Sequence, residues 1–323
     1  MDILITEDLQ STAIDRLEKK YKIVRDGSLW KDAARLKTAM AGARSIMIRN
    51  QTQVTAELMG SAPNLIGIGR VGVGLDNIDV AAASKLGVVV IAPLNANAVS
   101  VAELALGFML ALGRKIPQAD RSTKSGAWDR RGYTGIELDG KTVAICGLGR
   151  IGRLVAIRAR AFGMNVMVFD PFVKADSPAL AESSATLCGK LEEALAKADF
   201  VSVHSPLTPE TRHLFNAHAF AAMKRGACFI NTSRGGVMDE KALLIALQSG
   251  HLGGAALDVR ETEPPAVKTA FETMDNVILT PHIGAFTVES QARTFEAVAS
   301  DLDHLLSGEP ALNFVNFERP KKS

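Results

Sequence analysis

The chain is short of the residues that would mark it as secreted, membrane-bound or nucleic-acid-binding. Its three cysteines, Cys146, Cys188 and Cys228, are an odd number without metal-ligand spacing, so neither a disulfide framework nor a metal centre is expected. Cys146 and Cys228 lie in apolar, strand-like runs and read as buried thiols, which suits a reducing cytosol. No apolar run approaches the length of a membrane span. The opening MDILITEDLQ carries a strand and an acid where a secretion signal needs a basic region and a longer apolar one, so a cytoplasmic location is expected. A formal net charge of +2, without any long Lys/Arg run, gives no reason to expect a nucleic-acid or membrane partner.

What is present is apolar residue in quantity. At 47% hydrophobic, 323 residues can fill two cores of ordinary size. From Met1 to about Pro93, short apolar runs (ILIT, YKIV, SIMI, NLIGIG, VVVIA) alternate with helical patterns at Ala13 to Lys19, Ala33 to Ala41, Val54 to Met59 and AAASKLG. Such alternation predicts right-handed βαβ units and a parallel sheet. This first unit has no glycine fingerprint, so it is expected to do something other than hold a dinucleotide. Asn97 to Arg114 is apolar on almost every face, as in a helix buried on all sides or packed at a subunit contact. Ser100 and Glu103 have capping-box spacing, which predicts a helix start near Val101. A polar stretch, Lys115 to Gly140, follows.

The stretch TVAICGLGRIG, Thr142 to Gly152, reads as strand, tight turn and helix start. In a dinucleotide site Gly147 permits the turn, Gly149 lets the backbone approach a pyrophosphate and Gly152 lets the helix pack on its strand, with the anion on the free N–H groups of the helix N-terminus. A second strand, Asn165 to Phe169, ends in Asp170, about 20 residues on, where a carboxylate accepts hydrogen bonds from a ribose 2′-hydroxyl. An acid there repels a 2′-phosphate, so the cofactor predicted is NAD, not NADP. Beyond it the strands in DFVSVHSPL, GACFINTSRGG, GGAALDV and NVILTPHIG each run into a polar loop, and in open α/β sheets ligands collect at those ends. A last amphipathic helix is predicted from Ser290 to Ser307, with Pro310 to Phe317 packing on the first domain and PKKS as a frayed tail.

Three of those loops carry groups suited to chemistry. Arg234 follows a strand and precedes two glycines, where it can grip a carboxylate bidentately. Glu263 stands before Pro264 and Pro265, and His282 ends the run TPH. Taken alone, each reads more readily as an ordinary solvated or core residue. Together, at three successive strand ends, they form a sharper set, because a carboxylate beside an imidazole orients it and favours its protonated form. His204, also at a strand end, is the main rival; His213, His218, His251 and His304 lie in polar or helical contexts.

The segments SVAELALGFMLALGR, CGLGRIGR, NTSRGG, ALDVRETEPP and TPHIGA, in this order and spacing, resemble the D-isomer-specific 2-hydroxyacid dehydrogenase family along essentially the whole chain. The resemblance implies an α/β protein of two doubly wound, Rossmann-like parallel-sheet domains. A flavodoxin-like substrate domain would comprise residues 1–98 and 288–323, an NAD-binding domain residues 99–287, with a cleft between them. It makes His282 the general acid/base, Glu263 the partner that keeps it protonated for reduction, and Arg234 the group that binds the substrate carboxylate and polarises its carbonyl. Gly147, Gly149, Arg150, Ile151, Gly152 and Asp170 would line the cofactor, as would Thr232 and Ser233 in NTSRGG. His204, Ser205 and Pro206 would lie near its adenosine half, which settles the choice of histidine in favour of His282, and Asp258 near the nicotinamide carboxamide. The N–H groups of Val73 and Gly74 resemble a carboxylate cradle, and Asn97 a position lining the same cleft.

Within the family, RVGVGLDNIDV, SVAELALGFMLALGRKIPQA and the run from Trp128 to Lys141 look closest to 3-phosphoglycerate dehydrogenases. Arg49 and Arg70, each at a strand end, could then contact a second anionic group, a phosphate or a sulfonate, or else be solvated or paired to acids. Little chain follows His282, so the regulatory domain of the longer phosphoglycerate dehydrogenases, and serine feedback with it, is not expected. Hydroxypyruvate or glyoxylate reduction is the alternative activity. Some proteins of this fold are NAD-sensing transcriptional corepressors that keep the same three residues, although the short ends of this chain speak against that class. The resemblance also implies a homodimer joined through the nucleotide domains, with the helix from Val101 to Arg114 involved unless that helix is purely internal.

Overall fold

The computed structural model describes residues 1–317, which form two compact units. The first runs from Met1 to Asn97 and resumes at Ala285; the second is Ala98–Gly284. In the first, β1 (Ile3–Ile5), α1 (Thr12–Glu18), β2 (Ile23–Arg25), α2 (Ala33–Met40), β3 (Ser45–Ile48), α3 (Ala56–Gly60), β4 (Gly67–Arg70), α4 (Val80–Lys85) and β5 (Val89–Ile91) alternate along the chain. The five strands are all parallel in the order β2-β1-β3-β4-β5, the flavodoxin-like pattern. β1, β3 and β4 are buried throughout, as strands covered by helices on both faces must be. The side chains of Ser11, Asp32, Thr55 and Asp79 cap α1, α2, α3 and α4, so these loops fix where each helix begins.

The second unit opens with α5 (Ala98–Gly113) and α6 (Ile116–Lys124). It continues through β6 (Thr142–Cys146), α7 (Arg150–Ala161), β7 (Asn165–Phe169), α8 (Pro178–Ser183), β8 (Thr186–Leu187), α9 (Leu191–Lys197) and β9 (Phe200–Val203). Then come α10 (Ala217–Ala222), β10 (Cys228–Asn231), α11 (Glu240–Gln248), β11 (Gly254–Leu257) and β12 (Val277–Leu279). Its seven parallel strands lie in the order β12-β11-β10-β9-β6-β7-β8. The order reverses direction between β6 and β9, which opens the crevice where such sheets take their ligands.

Two expectations need correction, on α5 and Cys228, and one helix goes unannounced in the sequence. α5 begins at Ala98, not near Val101: Ser100 lies within the first turn, 5% exposed, so the Ser100–Glu103 spacing is not a capping box. The polar stretch after Lys115 contains α6, whose Gln, Arg, Ser and Lys content hides a helix with no buried residue. Cys228 is only partly buried, unlike Cys146. α5 packs Ala102, Ala105, Leu106, Phe108, Met109 and Leu112 into the core of its own unit and exposes only a narrow stripe that includes Glu103 and Gly107.

The chain then returns to the first unit in α12 (Val288–Leu306), capped by Thr287. Phe295, Val298, Ala299 and Leu302 complete a core with Ile3, Ile5, Ile14 and Met47. Residues beyond it do pack on this unit: Phe314 bridges Ile91, and the side chain of Asn316 bonds the backbone of Val88 and Val90. The PKKS tail lies outside the described residues.

Candidate active site

Every cofactor residue predicted in the second unit falls at or just beyond the carboxyl edge of its sheet. Gly147 directly follows β6 at φ 99°, a conformation that favours glycine, and a Cβ there would meet the backbone of His204 and Ser205 at 2.9–3.1 Å. Gly152 is tighter, since its Cβ would lie 2.0 Å from the Gly147 carbonyl oxygen. Gly149 differs from both: a Cβ there meets nothing, and the residue starts α7 without a side-chain cap. The first N–H groups of α7, those of Arg150 and Ile151 among them, are thus left for an anion. Asp170 follows β7 and is held in place, its two oxygens accepting from Leu148 N (2.8 Å) and Phe172 N (2.9 Å). A carboxylate has lone pairs to spare beyond those two bonds.

Arg234, Glu263 and His282 follow β10, β11 and β12, whose last residues stand in register, Asn231 beside Leu257 and Leu257 beside Leu279. His282 Nδ1 and Glu263 Oε2 are 2.6 Å apart, and the other Glu263 oxygen accepts the Arg260 N–H at 3.0 Å. Burial pushes the Glu263 carboxyl up, but the His282 hydrogen bond, the Arg260 N–H and the charges of His282 and Arg234 outweigh it, and the net shift is downward. His282 has φ 56°, uncommon for a residue with a side chain. Asp258 braces that conformation, accepting from Thr280 Oγ1 (2.6 Å), Ile283 N (2.8 Å) and Gly284 N (2.8 Å). Arg234 donates through Nη1 to the Ser233 carbonyl at 2.8 Å.

The rival histidine has a different environment. Burial drives the pKa of His204 down to about 3, so the ring is neutral, with Nε2 2.9 Å from Ser202 Oγ and Nδ1 buried without a hydrogen-bond partner among the described residues. Ser205 donates to the Cys146 carbonyl, and the Pro206 carbonyl accepts from Thr211 Oγ1. Thr232 Oγ1 is likewise buried and unpartnered among the described residues. These two orphaned polar atoms, the open face at Gly149 and the uncapped start of α7 fit a dinucleotide.

In the first unit Arg49 and Arg70 end adjacent strands, Arg70 in register with Ile48. Among the described residues Arg49 has no carboxylate partner. Its Nη2 donates to Gln291 Oε1 at 2.7 Å, and the Phe286 ring lies 4.2 Å from the guanidinium carbon. Burial lowers its pKa against the raising influence of Glu7. Arg70 donates to the Val71 carbonyl at 2.8 Å and fills the space that a side chain on Gly72 would take. Among the described residues the N–H groups of Val73 and Gly74 find no acceptor, and Asn97 Oδ1 is buried without a partner.

Several supporting residues escape sequence reasoning. Asn231 accepts from both N and Oγ of Ser233 and donates to the Arg234 carbonyl, shaping the turn that presents the arginine. An Asn after a strand, two residues before a Ser, is an Asx-turn signal that could have found it. Buried Glu7 accepts from the backbone N–H groups of Arg49, Gln51 and Thr52, and nothing in its local sequence announces this.

Residues 106–284 match the family model for the D-isomer specific 2-hydroxyacid dehydrogenase, NAD binding domain. The D-3-phosphoglycerate dehydrogenase of Methanocaldococcus jannaschii is 44% identical over 315 residues, which are 97% of this chain but 59% of that protein. The chain thus spans about three-fifths of the length of such curated relatives. The crystal structure of the TT0316 protein from Thermus thermophilus superposes with a TM-score of 0.89 at 35% identity, covering 98% of this chain and 100% of that one. D-Lactate dehydrogenase from Aquifex aeolicus, solved with NAD and lactic acid, gives 0.87 at 29% identity, covering 98% and 100%.

Proposed function

Because the chain belongs to the D-isomer specific 2-hydroxyacid dehydrogenase family, whose NAD-binding domain it carries, we propose that it interconverts a small D-2-hydroxy acid and its 2-oxo acid, with 3-phosphoglycerate as the substrate. The observation that carries this reading is the 2.6 Å pairing of His282 Nδ1 with Glu263, with the Arg234 charge felt at the same carboxylate. Glu263 occupies Nδ1 and leaves Nε2 as the nitrogen that gives a proton to the substrate oxygen in reduction and takes it in oxidation. Arg234 grips the substrate carboxylate and polarises the neighbouring carbonyl. Bound NAD supplies or accepts the hydride. The Gly147–Gly152 turn, Arg150, Ile151, Asp170, His204, Ser205, Pro206, Thr232, Ser233 and Asp258 hold and orient it.

The N–H groups of Val73 and Gly74 cradle the carboxylate with Asn97 beside them, and Arg49 and Arg70 take the phosphate. The Arg49 guanidinium, half-buried and without an ion pair among the described residues, is well suited to a second anion. The protein works as a homodimer in the cytosol, in keeping with three unpaired thiols. No helix among the described residues is long and apolar enough to cross a membrane.

The test is NADH oxidation across phosphohydroxypyruvate, hydroxypyruvate, glyoxylate and pyruvate. Phosphohydroxypyruvate should give the highest kcat/KM. Turnover of hydroxypyruvate or glyoxylate alone would make the protein a reductase of unphosphorylated acids. Failure on all four, with NADH still bound, would make it a cofactor sensor.

A further inference from the structure

Glu263 stands in a run, Glu261–Lys268, that is exposed at every residue and has no helix or strand. A carboxylate that must stay 2.6 Å from an imidazole therefore needs outside anchors. One of its oxygens is held by the N–H of Arg260, and the Arg260 side chain, 10% exposed, explains what fixes that N–H. Nε and Nη2 form a two-pronged pair with Glu240 Oε1 (2.9 Å) and Oε2 (3.0 Å) at the start of α11, and Nη1 reaches Glu272 Oε1 at 3.0 Å. The guanidinium lies 5.2 Å from the Phe271 ring centroid. Glu240 Oε1 also accepts the Glu261 N–H, and Glu261 Oε1 accepts the Glu240 N–H, both at 2.8 Å. Glu272 closes a capping box with Thr269 at the far end of the loop. On the opposite side the Arg260 carbonyl lies against Gly235, the residue after Arg234, where a Cβ would come within 1.9 Å of it. One backbone unit therefore touches both Glu263 and the turn that carries Arg234.

Building on the dehydrogenase reading above, we propose that Arg260 is a positioning residue: clamped between Glu240 and Glu272, it holds Glu263 in the orientation that engages His282. No side chain of the clamp hydrogen-bonds His282 among the described residues. It acts through the Arg260 backbone, and removing the fork lets the Glu263 carboxylate swing away and the imidazole lose its aim.

The experiment is a double-mutant cycle of Arg260→Met with Glu263→Gln. If the clamp acts through Glu263, Arg260→Met lowers kcat about tenfold in the wild-type background and less than about twofold in the Glu263→Gln background, with KM for NADH unchanged. Arg260→Lys, which keeps the charge but not the fork, recovers part of the loss. An equal loss in both backgrounds, or no loss in either, overturns the proposal. In the same variants the downfield proton resonance of the His282 Nδ1–H, assigned by its disappearance in His282→Gln, should weaken in Arg260→Met; an unchanged signal counts against the clamp. This readout needs no turnover, so a protein inert on every 2-oxo acid would sink the dehydrogenase reading and still leave the clamp decided. Should Arg260→Met fail to fold, Glu272→Gln, which removes one anchor, goes through the same cycle.

Discussion

At the scale of single residues, His282 and Asp170 lead to predictions with separate readouts. Replacing His282 with Ala should cut turnover by roughly 10²- to 10⁴-fold while NADH affinity, followed by fluorescence titration, stays the same. Glu263 has its pKa lowered from 4.5, so the stability it contributes is whole above that value and is lost as pH falls through the folded value. Asp170→Ala should narrow the preference for NADH over NADPH, read as the ratio of kcat/KM values. Because Asp170 also holds Leu148 N and Phe172 N, Asp170→Asn, which keeps an acceptor, should disturb the loops less while still removing the charge. Arg234, Glu263 and His282 stood out in the sequence as candidates because each sits in the loop that follows an apolar strand signal, although Glu263 lies six residues beyond β11. Arg260 did not, since its role rests on partners 20 and 12 residues away that no local pattern reveals, whereas the Asx-turn signal at Asn231 was there to be read.

At the scale of elements, the glycine turn offers a contrast between two substitutions of the same size. Gly152→Ala forces a methyl against the Gly147 carbonyl and should lower both the melting temperature and NADH affinity; Gly149→Ala points into open space and should lower NADH affinity alone. The loop clamp has its own pH signature. Burial pushes Glu272 up, but hydrogen bonds from Thr269 and Arg260 bring it down from 4.5 to about 2. Its contribution is therefore intact above 4.5 and disappears as pH falls toward 2, so the urea midpoints of the parent and Glu272→Gln should converge over that interval. The strands were easy to read because short apolar, Val- and Ile-rich runs that each break into polar loop residues leave little choice; β6, β7 and β12 stand where the sequence put them. α6 was missed because it buries no residue and is polar overall, so no apolar run announces it, although its less exposed residues do recur with helical spacing.

At the scale of the whole molecule, two parallel sheets and a discontinuous first unit follow from the order of elements along the chain. The dimer was an expectation from resemblance alone, and light scattering on the eluting protein should give twice 34.4 kDa. A consequence for biosynthesis lies in α12. Val298 and Leu302 lie against Gly69 of β4, and without α12 that face of the N-terminal sheet is covered by α1 alone. A ribosome adding roughly 5–20 residues per second needs on the order of 10–40 s to travel from β5 to the end of α12. During that delay the nested unit can fold behind a partner that is still incomplete. A fragment of residues 98–284 should therefore show cooperative melting by circular dichroism, while residues 1–97 should remain unfolded until residues 285–317 are supplied.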